Sequence, residues 1–140
     1  MSTRAERRVL VVDDSIVVRH VLILTLRQIP GFYRAEIDEA GDGDAALARL
    51  AENRYDLVLS DVRMPFVDGL ELVRRVRKEM RDTRTPIFLV STLGSKEDVR
   101  RGLAAGATAY IVKPLSPHII MKTIEEYFGT GLAPSPEQGA

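Results

Sequence analysis

The sequence predicts an α/β fold in which a five-stranded parallel sheet is doubly wound with five helices. Short apolar runs alternate strictly with amphipathic segments of helical length along most of the chain. The runs at residues 9–12 and 57–60 are apolar almost throughout, which is typical of strands buried on both faces. Right-handed crossovers between parallel strands place the connecting helices on both sides of the sheet.

Each predicted strand is followed by one predicted helix. The strands are expected at residues 9–12, 35–39, 57–60, 87–90 and 109–112. The helices are expected at residues 15–28, 44–53, 70–81, 96–105 and 117–128.

Local signals mark the ends of the later helices. Ser95 and Asp98 have the spacing of a capping box, in which each residue satisfies an N–H group at the helix start. Pro117 follows a serine and is suited to a first helical turn. Gly106 and Gly129 are predicted C-terminal stops.

Composition limits the classes of function. The 140 residues are 45% hydrophobic and 29% charged, which is typical of one globular domain. Lys plus Arg and Asp plus Glu number 20 each, so no net positive field favours nucleic acid or an anionic membrane. The absence of cysteine excludes disulfides, thiolate metal sites and a thiol nucleophile. No apolar targeting segment follows the polar N-terminus, which predicts a cytoplasmic protein.

Charged and polar residues follow the predicted strands at one edge of the sheet. Asp13 and Asp14 come after the first strand, Asp61 after the third, Ser91 ends the fourth, and Lys113 follows the fifth. Ligands of open parallel sheets bind beyond the carboxyl ends of the strands, where strand order reverses. We therefore expect these five side chains to converge on one site.

Three carboxylates at one place require a cation. A single aspartate after a strand is readily explained as a helix cap. Three together are not, because like charges about 4 Å apart cost roughly 4 kcal/mol per pair at an effective dielectric constant near 20. Mg²⁺ prefers carboxylates, water and phosphoryl oxygens, so the cluster predicts a magnesium site.

Asp61 is the candidate nucleophile. A carboxylate beside a divalent ion can attack phosphorus and hold the product as an acyl phosphate. Lys113 and Ser91 would stabilise the phosphoryl oxygens. The two histidines, His20 and His118, have no paired acid at useful spacing and are predicted to be solvated.

The pattern of residues 8–128 resembles the receiver domain of two-component response regulators. The matching motifs are Val-Asp13-Asp14-Ser, Ser-Asp61-Val-Arg-Met-Pro65 with Asp68-Gly69, Ser91-Thr92, and Ala-Gly106-Ala-Thr-Ala-Tyr110-Ile-Val-Lys113-Pro114. The resemblance implies a flavodoxin-like strand order of 2-1-3-4-5. Outside the receiver domain at 8–128, the polar N-terminus at 1–7 is predicted to be flexible, and the Gly- and Pro-rich tail at 129–140 is predicted to be disordered.

The resemblance assigns the chemistry to particular residues. Asp61 would accept a phosphoryl group from a phosphohistidine on a sensor histidine kinase or a histidine phosphotransfer protein. Asp14 and Asp61 would bind Mg²⁺ directly, Asp13 would bind it through water, and the backbone carbonyl of Arg63 would complete the protein ligands. Such a protein catalyses only its own phosphotransfer and dephosphorylation, and is not an enzyme in the ordinary sense.

The resemblance also implies a switch. Lys113 would pair with the phosphoryl group, with a cis bond to Pro114. Ser91 would move toward the phosphate and Tyr110 would follow it inward; the less favoured alternative is that Tyr110 is only a half-buried strand aromatic. The change would remodel the face of the fourth helix, fifth strand and fifth helix, where a downstream protein would bind.

Two positions depart from the commonest pattern of the family, and the first helix is unusually apolar. Thr92 is bulkier than the small residue often found after the switch hydroxyl, and Arg63 adds a cation near the mouth of the site, so both are expected to change the lifetime of the acyl phosphate. The first helix is apolar on more than one face, which predicts that part of it is exposed. Ile23 and Leu24 would then belong either to a docking surface for the phosphohistidine-bearing bundle or to extra core packing.

Several alternatives remain at this point. The pattern leaves no room for an effector module after residue 128, so output is expected through protein contact, as in chemotaxis receivers. The chain could instead be a phosphorelay intermediate or a fragment of a larger regulator, and a monomer or a phosphorylation-dependent dimer. A magnesium-dependent phosphatase would need an aspartate where Arg63 stands. A binding module that works without phosphorylation is less favoured, because every residue of the chemistry is present.

Overall fold

A computed structural model describes residues 6–113 and 116–129 of the chain. The strands are β1 (Arg8–Val12), β2 (Glu36–Ala40), β3 (Leu57–Asp61), β4 (Ile87–Ser91) and β5 (Ala109–Val112). The helices are α1 (Ile16–Leu26), α2 (Gly43–Glu52), α3 (Gly69–Arg74), α4 (Lys96–Ala105) and α5 (Pro117–Phe128). The predicted alternation of strands and helices is confirmed.

The five strands form one parallel sheet in the order β2-β1-β3-β4-β5. β1 lies between β2 and β3, and Val12 pairs with Ala40 on one side and Ser60 on the other. The order therefore reverses between β1 and β3, and the carboxyl ends of these strands meet at one edge. The predicted strand order is confirmed.

Two hydrophobic cores cover the two faces of the sheet. Val9 and Val11 of β1 belong to the core beneath α1 and α5, together with Phe88 of β4. Leu10 and Val12 face the other way, into the core beneath α2, α3 and α4. Successive side chains of one strand thus enter opposite cores, which explains why the strand is apolar at every position.

The ends of α4 and α5, which local signals predicted, agree with the structure. Ser95 and Asp98 form a complete capping box at the start of α4, and Gly106 ends that helix with a left-handed φ of 118°. The hydroxyl of Ser116 accepts the N–H of Ile119 at the start of α5, which has a proline in its first turn. These caps fix where the helices near the predicted switch begin.

The third helix differs from its prediction. The α-helix ends at Arg74, and the chain continues as a π-helix over Arg75–Glu79. The guanidinium of Arg77 donates to the carbonyls of Gly106 (3.0 Å) and Asp82 (3.1 Å). Burial lowers the pKa of Arg77. The wider turn brings this side chain to the end of α4, a tertiary contact that periodicity does not reveal.

Phe66, in the loop after β3, is a strained and exposed aromatic residue. Its φ is 65° and 95% of its surface is accessible. A left-handed conformation costs an ordinary residue roughly 1–2 kcal/mol, and asparagine adopts it more easily. We expect Phe66→Asn to raise the free energy of unfolding by about 0.5–1 kcal/mol in urea titrations. Phe66→Leu keeps the strain and should gain nothing, so equal stability of the two variants would refute the prediction.

Parts of the sequence prediction lie outside the described residues. They are most of the N-terminal segment and of the tail, and the bond between Lys113 and Pro114. Among the helices that the structure describes, none combines the length and apolar character needed to cross a membrane.

Candidate metal and phosphorylation site

Three carboxylates meet where the strand order reverses. Asp13 and Asp14 follow β1 and Asp61 ends β3, and one oxygen from each lies within 4.8 Å of the others. Asp13 is 2% accessible and Asp61 is 9% accessible, whereas Asp14 is exposed. The predicted convergence is therefore confirmed for these three carboxylates.

Helix capping does not explain this cluster. Ser15 is the N-cap of α1, and its hydroxyl accepts the N–H of Val18. Asp68 is the N-cap of α3 and accepts the N–H of Glu71. Asp14 and Asp61 are therefore free of the structural role that a single aspartate after a strand often has.

Lys113 provides one positive charge to the cluster. Its Nζ lies 3.5 Å from Oδ2 of Asp13 and 3.8 Å from Oδ2 of Asp61. The backbone N–H of Lys113 donates to the carbonyl of Ser91 (2.7 Å), which fixes the start of the lysine side chain beside β4. One ammonium group leaves the three carboxylates with excess negative charge.

Electrostatics at Asp61 reflect this excess. Burial raises the pKa of Asp61, and the nearby carboxylate of Asp13 raises it further. The charge of Lys113 and the N–H groups of Val62 (2.7 Å) and Arg63 (3.4 Å) lower it, but the net shift is upward. The carboxylate is thus destabilised in the absence of a further cation.

The donor set suits a hard divalent cation. Three clustered carboxylates offer oxygen ligands, and the exposure of Asp14 leaves one side of the cluster open to water. Mg²⁺ binds through one or two carboxylates and keeps several waters, so the residues present fit a magnesium ion. Arg63 lies beside the cluster, with its N–H directed to Asp61.

Ser91 and Tyr110 are linked through one loop. Ser91 is fully buried at the end of β4, and its hydroxyl accepts the N–H of Leu93 (3.1 Å). The phenol of half-buried Tyr110 donates to the carbonyl of Leu93 (2.5 Å). Within the described chain Ser91 makes no hydrogen bond to Asp61. Burial raises the pKa of Tyr110, an effect that the Ser91 hydroxyl partly offsets.

Sequence reasoning missed Arg19 as part of the site. Its Nη1 donates to the carbonyl of Asp13 (2.6 Å), and its Nε donates to Oε1 of Glu39 (2.8 Å). Arg19 therefore ties α1 to the ends of β1 and β2 beside the carboxylates. The available signal was the single arginine early in a largely apolar helix.

α1 also presents exposed apolar side chains. Ile16, Val17 and Leu24 are 60%, 71% and 64% accessible, respectively. Ile23 instead packs against the core beneath α1. The prediction of a partly exposed helix is confirmed, and Ile23 and Leu24 have different environments.

The remaining residues singled out by sequence lie at the surface. His20 and His118 are both exposed, as predicted. Thr92 and Arg63 are exposed in the two loops that follow β4 and β3.

Comparisons with known proteins agree with the geometry. The response regulator receiver domain family matches residues 9–125. A chemotaxis protein CheY homolog of Campylobacter jejuni is 37% identical over 125 residues, covering 89% of this chain and 94% of that protein. The structure of chemotaxis protein CheY4 of Vibrio cholerae has a TM-score of 0.77 and 38% identity, covering 87% of this chain and 98% of that one.

A longer relative shares only this part of its length. The gliding motility regulatory protein of Myxococcus xanthus is 42% identical over 106 residues, which are 76% of this chain but 13% of that protein. The domain thus occurs both as most of a protein and as a small part of one.

The fold and the site together define a class of α/β signalling domains. In this class an acidic pocket lies where the strand order of a parallel sheet reverses. The chain belongs to the response regulator receiver domain family. The family match and the CheY homologues are consistent with a phosphorylation-activated switch of two-component signalling.

Proposed function

We propose that Asp61 is the residue that accepts the phosphoryl group. The observation that supports this role is the buried carboxylate of Asp61, with a raised pKa, between Asp13, Asp14 and Lys113. The donor would be a phosphohistidine on a sensor histidine kinase or a histidine phosphotransfer protein. A bond forms between an Asp61 oxygen and phosphorus while the phosphorus–nitrogen bond breaks, and the leaving imidazole takes up a proton.

The neighbouring residues would hold the cation and the phosphoryl group. Asp14, Asp61 and the carbonyl of Arg63 would bind Mg²⁺, with Asp13 acting through water, and the ion would neutralise charge on the phosphoryl oxygens. Lys113 would pair with one phosphoryl oxygen, because its ammonium already lies 3.8 Å from Asp61. Ser91 would donate its hydroxyl to another after leaving the N–H of Leu93.

Output would follow from the loop shared by Ser91 and Tyr110. Movement of Ser91 disturbs the segment whose carbonyl holds the Tyr110 phenol. The adjoining face of α4, β5 and α5 exposes Leu103, Val112 and Ile119, which suits a downstream protein partner. We place this function in the cytoplasm, in a folded unit of residues 8–128 that is a monomer or a phosphorylation-dependent dimer.

Thr92 and Arg63 should set the lifetime of the acyl phosphate. Both side chains are exposed in the loops that follow β4 and β3, the strands that end at Ser91 and Asp61. Thr92→Ala and Arg63→Ala are each expected to change the dephosphorylation rate by about two- to tenfold, a small effect because neither side chain is proposed to act on the reacting atoms directly. The decay of phosphorylated protein, followed by intact mass, measures the rate. Unchanged decay in both variants would refute this role.

Mass spectrometry tests the proposed acceptor. Incubation with acetyl phosphate and Mg²⁺ should add the mass of one phosphoryl group to the intact protein. The gain should disappear in Asp61→Asn and in excess chelator. A gain that persists in Asp61→Asn would assign the phosphoryl group to another residue, and no gain at all would refute the mechanism.

A further inference from the structure

A second concave site lies beside the carboxylate cluster. An open pocket of about 550 Å³ is formed by the loop after β3, the start of α3, the loop after β4, α4 and β5. We call it the side pocket. Met64, Leu70, Leu93 and Tyr110 supply its apolar surface. Neither the three carboxylates nor Lys113 line it.

The acidic residues of the side pocket already accept hydrogen bonds at the starts of two helices. Oδ1 of Asp68 accepts the N–H of Glu71 (2.8 Å) at the start of α3. Oδ2 of Asp98 accepts the N–H (3.2 Å) and the hydroxyl (2.7 Å) of Ser95 at the start of α4. Both carboxylates therefore have internal partners.

The basic side chains of the side pocket have no hydrogen-bond partner among the described residues. Arg63 and Arg101 line the pocket, and among the described residues neither side chain makes a hydrogen bond or a close ion pair, although the charge of Arg101 helps to lower the pKa of Glu97. The neighbouring Arg100 differs, because it pairs with Glu97 on the outside of α4. The groups available to a ligand are thus two guanidinium groups beside an apolar surface.

We propose that the side pocket binds a small amphipathic carboxylate. The volume lies within the range of about 300–1,000 Å³ that is usual for small-molecule sites. An aryl or alkyl group would cover Met64, Leu70 and Leu93, and the carboxylate would accept hydrogen bonds from Arg101. Guanidinium groups bind carboxylates with charge-assisted, often bidentate hydrogen bonds.

Binding in the side pocket is coupled to the proposed switch. Tyr110 and Leu93 form part of the pocket wall and are joined by the phenol-to-carbonyl hydrogen bond. A ligand that contacts this pair favours one position of Tyr110, and phosphorylation and ligand affinity then change each other by the same factor. This coupling rests on the proposed function, whereas binding itself does not.

An NMR titration tests binding. The probe is 4-phenylbutyrate added to ¹⁵N-labelled protein, with its neutral amide and 4-phenylbutylamine as comparison ligands. We expect saturable shifts at the side-pocket residues with the carboxylate, and weaker binding of the amide and amine. Arg101→Gln should weaken carboxylate binding about tenfold. Arg100→Gln, on the same helix but outside the pocket, should leave the Kd unchanged.

Four results of the NMR titration would contradict the proposal. A lack of saturable binding, equal Kd values for carboxylate and amide, tighter binding of the amine, or an unchanged Kd in Arg101→Gln would overturn it. A repeat with Mg²⁺ and beryllofluoride, which mimics the phosphoryl group, should change the Kd at least threefold. Binding that ignores beryllofluoride would overturn the coupling but leave the pocket assignment standing, and the mass test above judges Asp61 independently.

Discussion

Asp61→Asn is expected to make the metal-free domain more stable at neutral pH, by about 1 kcal/mol in urea unfolding. The wild-type side chain is a buried carboxylate beside Asp13, and its pKa is raised by burial and by that neighbour. Ionised Asp61 therefore costs folding free energy that the isosteric amide avoids. A site built to bind a cation carries uncompensated negative charge when the cation is missing.

The pH dependence of this gain has a definite sign. A carboxyl group whose pKa is raised by folding contributes its stability below the unfolded pKa, and that contribution is lost as pH rises through the folded pKa. The stability difference between Asp61→Asn and wild type should thus be small near pH 3.8, the ordinary value for the group, and largest at pH 7. Urea titrations at both pH values in chelator measure it.

Asp14→Asn is the matched control for this experiment. Asp14 belongs to the same cluster but is exposed, so its charge is better solvated and its replacement should gain less. A gain from Asp14→Asn equal to that from Asp61→Asn would contradict the assignment of the cost to burial. So would a difference that does not grow with pH.

Lys113→Gln should slow phosphorylation of Asp61 by about 10²-fold, the usual effect of removing one preorganised group that stabilises transferred charge. The ammonium lies within 4 Å of both Asp13 and Asp61 and is the one cation that makes ion pairs with them in the described structure. Its loss also raises the pKa of Asp61 further, because the charge of Lys113 is what lowers that pKa most. The rate of mass gain with acetyl phosphate measures the effect.

Lys122→Gln provides the control for charge alone. Lys122 is an exposed lysine of α5, so this variant removes the same charge away from the carboxylates. Its rate should equal that of wild type. A Lys113→Gln variant that is phosphorylated at the wild-type rate would show that the observed ion pairs serve folding and not phosphoryl transfer.

The fold was predictable because its signals are local and periodic. Strands buried on both faces are continuously apolar, and their alternation with helices leaves little choice of architecture. α4 and α5 have the predicted bounds because a capping box, a first-turn proline and glycine stops mark them. The convergence of Asp13, Asp61 and Lys113 followed from the geometry of parallel strands, whose carboxyl ends share one edge.

Features that depend on tertiary contacts were not predictable. The side chain of Arg19 donates a hydrogen bond to the backbone carbonyl of Asp13, which lies outside its own helix. No spacing in the sequence predicts that contact. The π-helix over Arg75–Glu79 contains Arg77, whose guanidinium donates to the carbonyl of Gly106 at the end of α4, a contact between two elements that no local pattern encodes. The side pocket combines five segments, and the difference between Arg100 and Arg101 depends on the direction each side chain takes from α4.

The central claim is that the phosphoryl group resides on Asp61. Borohydride reduces an aspartyl phosphate to homoserine, so treatment of phosphorylated protein followed by peptide mass spectrometry locates the modified residue directly. We predict homoserine at position 61 in samples that contained Mg²⁺ and acetyl phosphate, and at no position when chelator was present. Homoserine at position 13 or 14, or a phosphoryl group that resists borohydride, would contradict the claim.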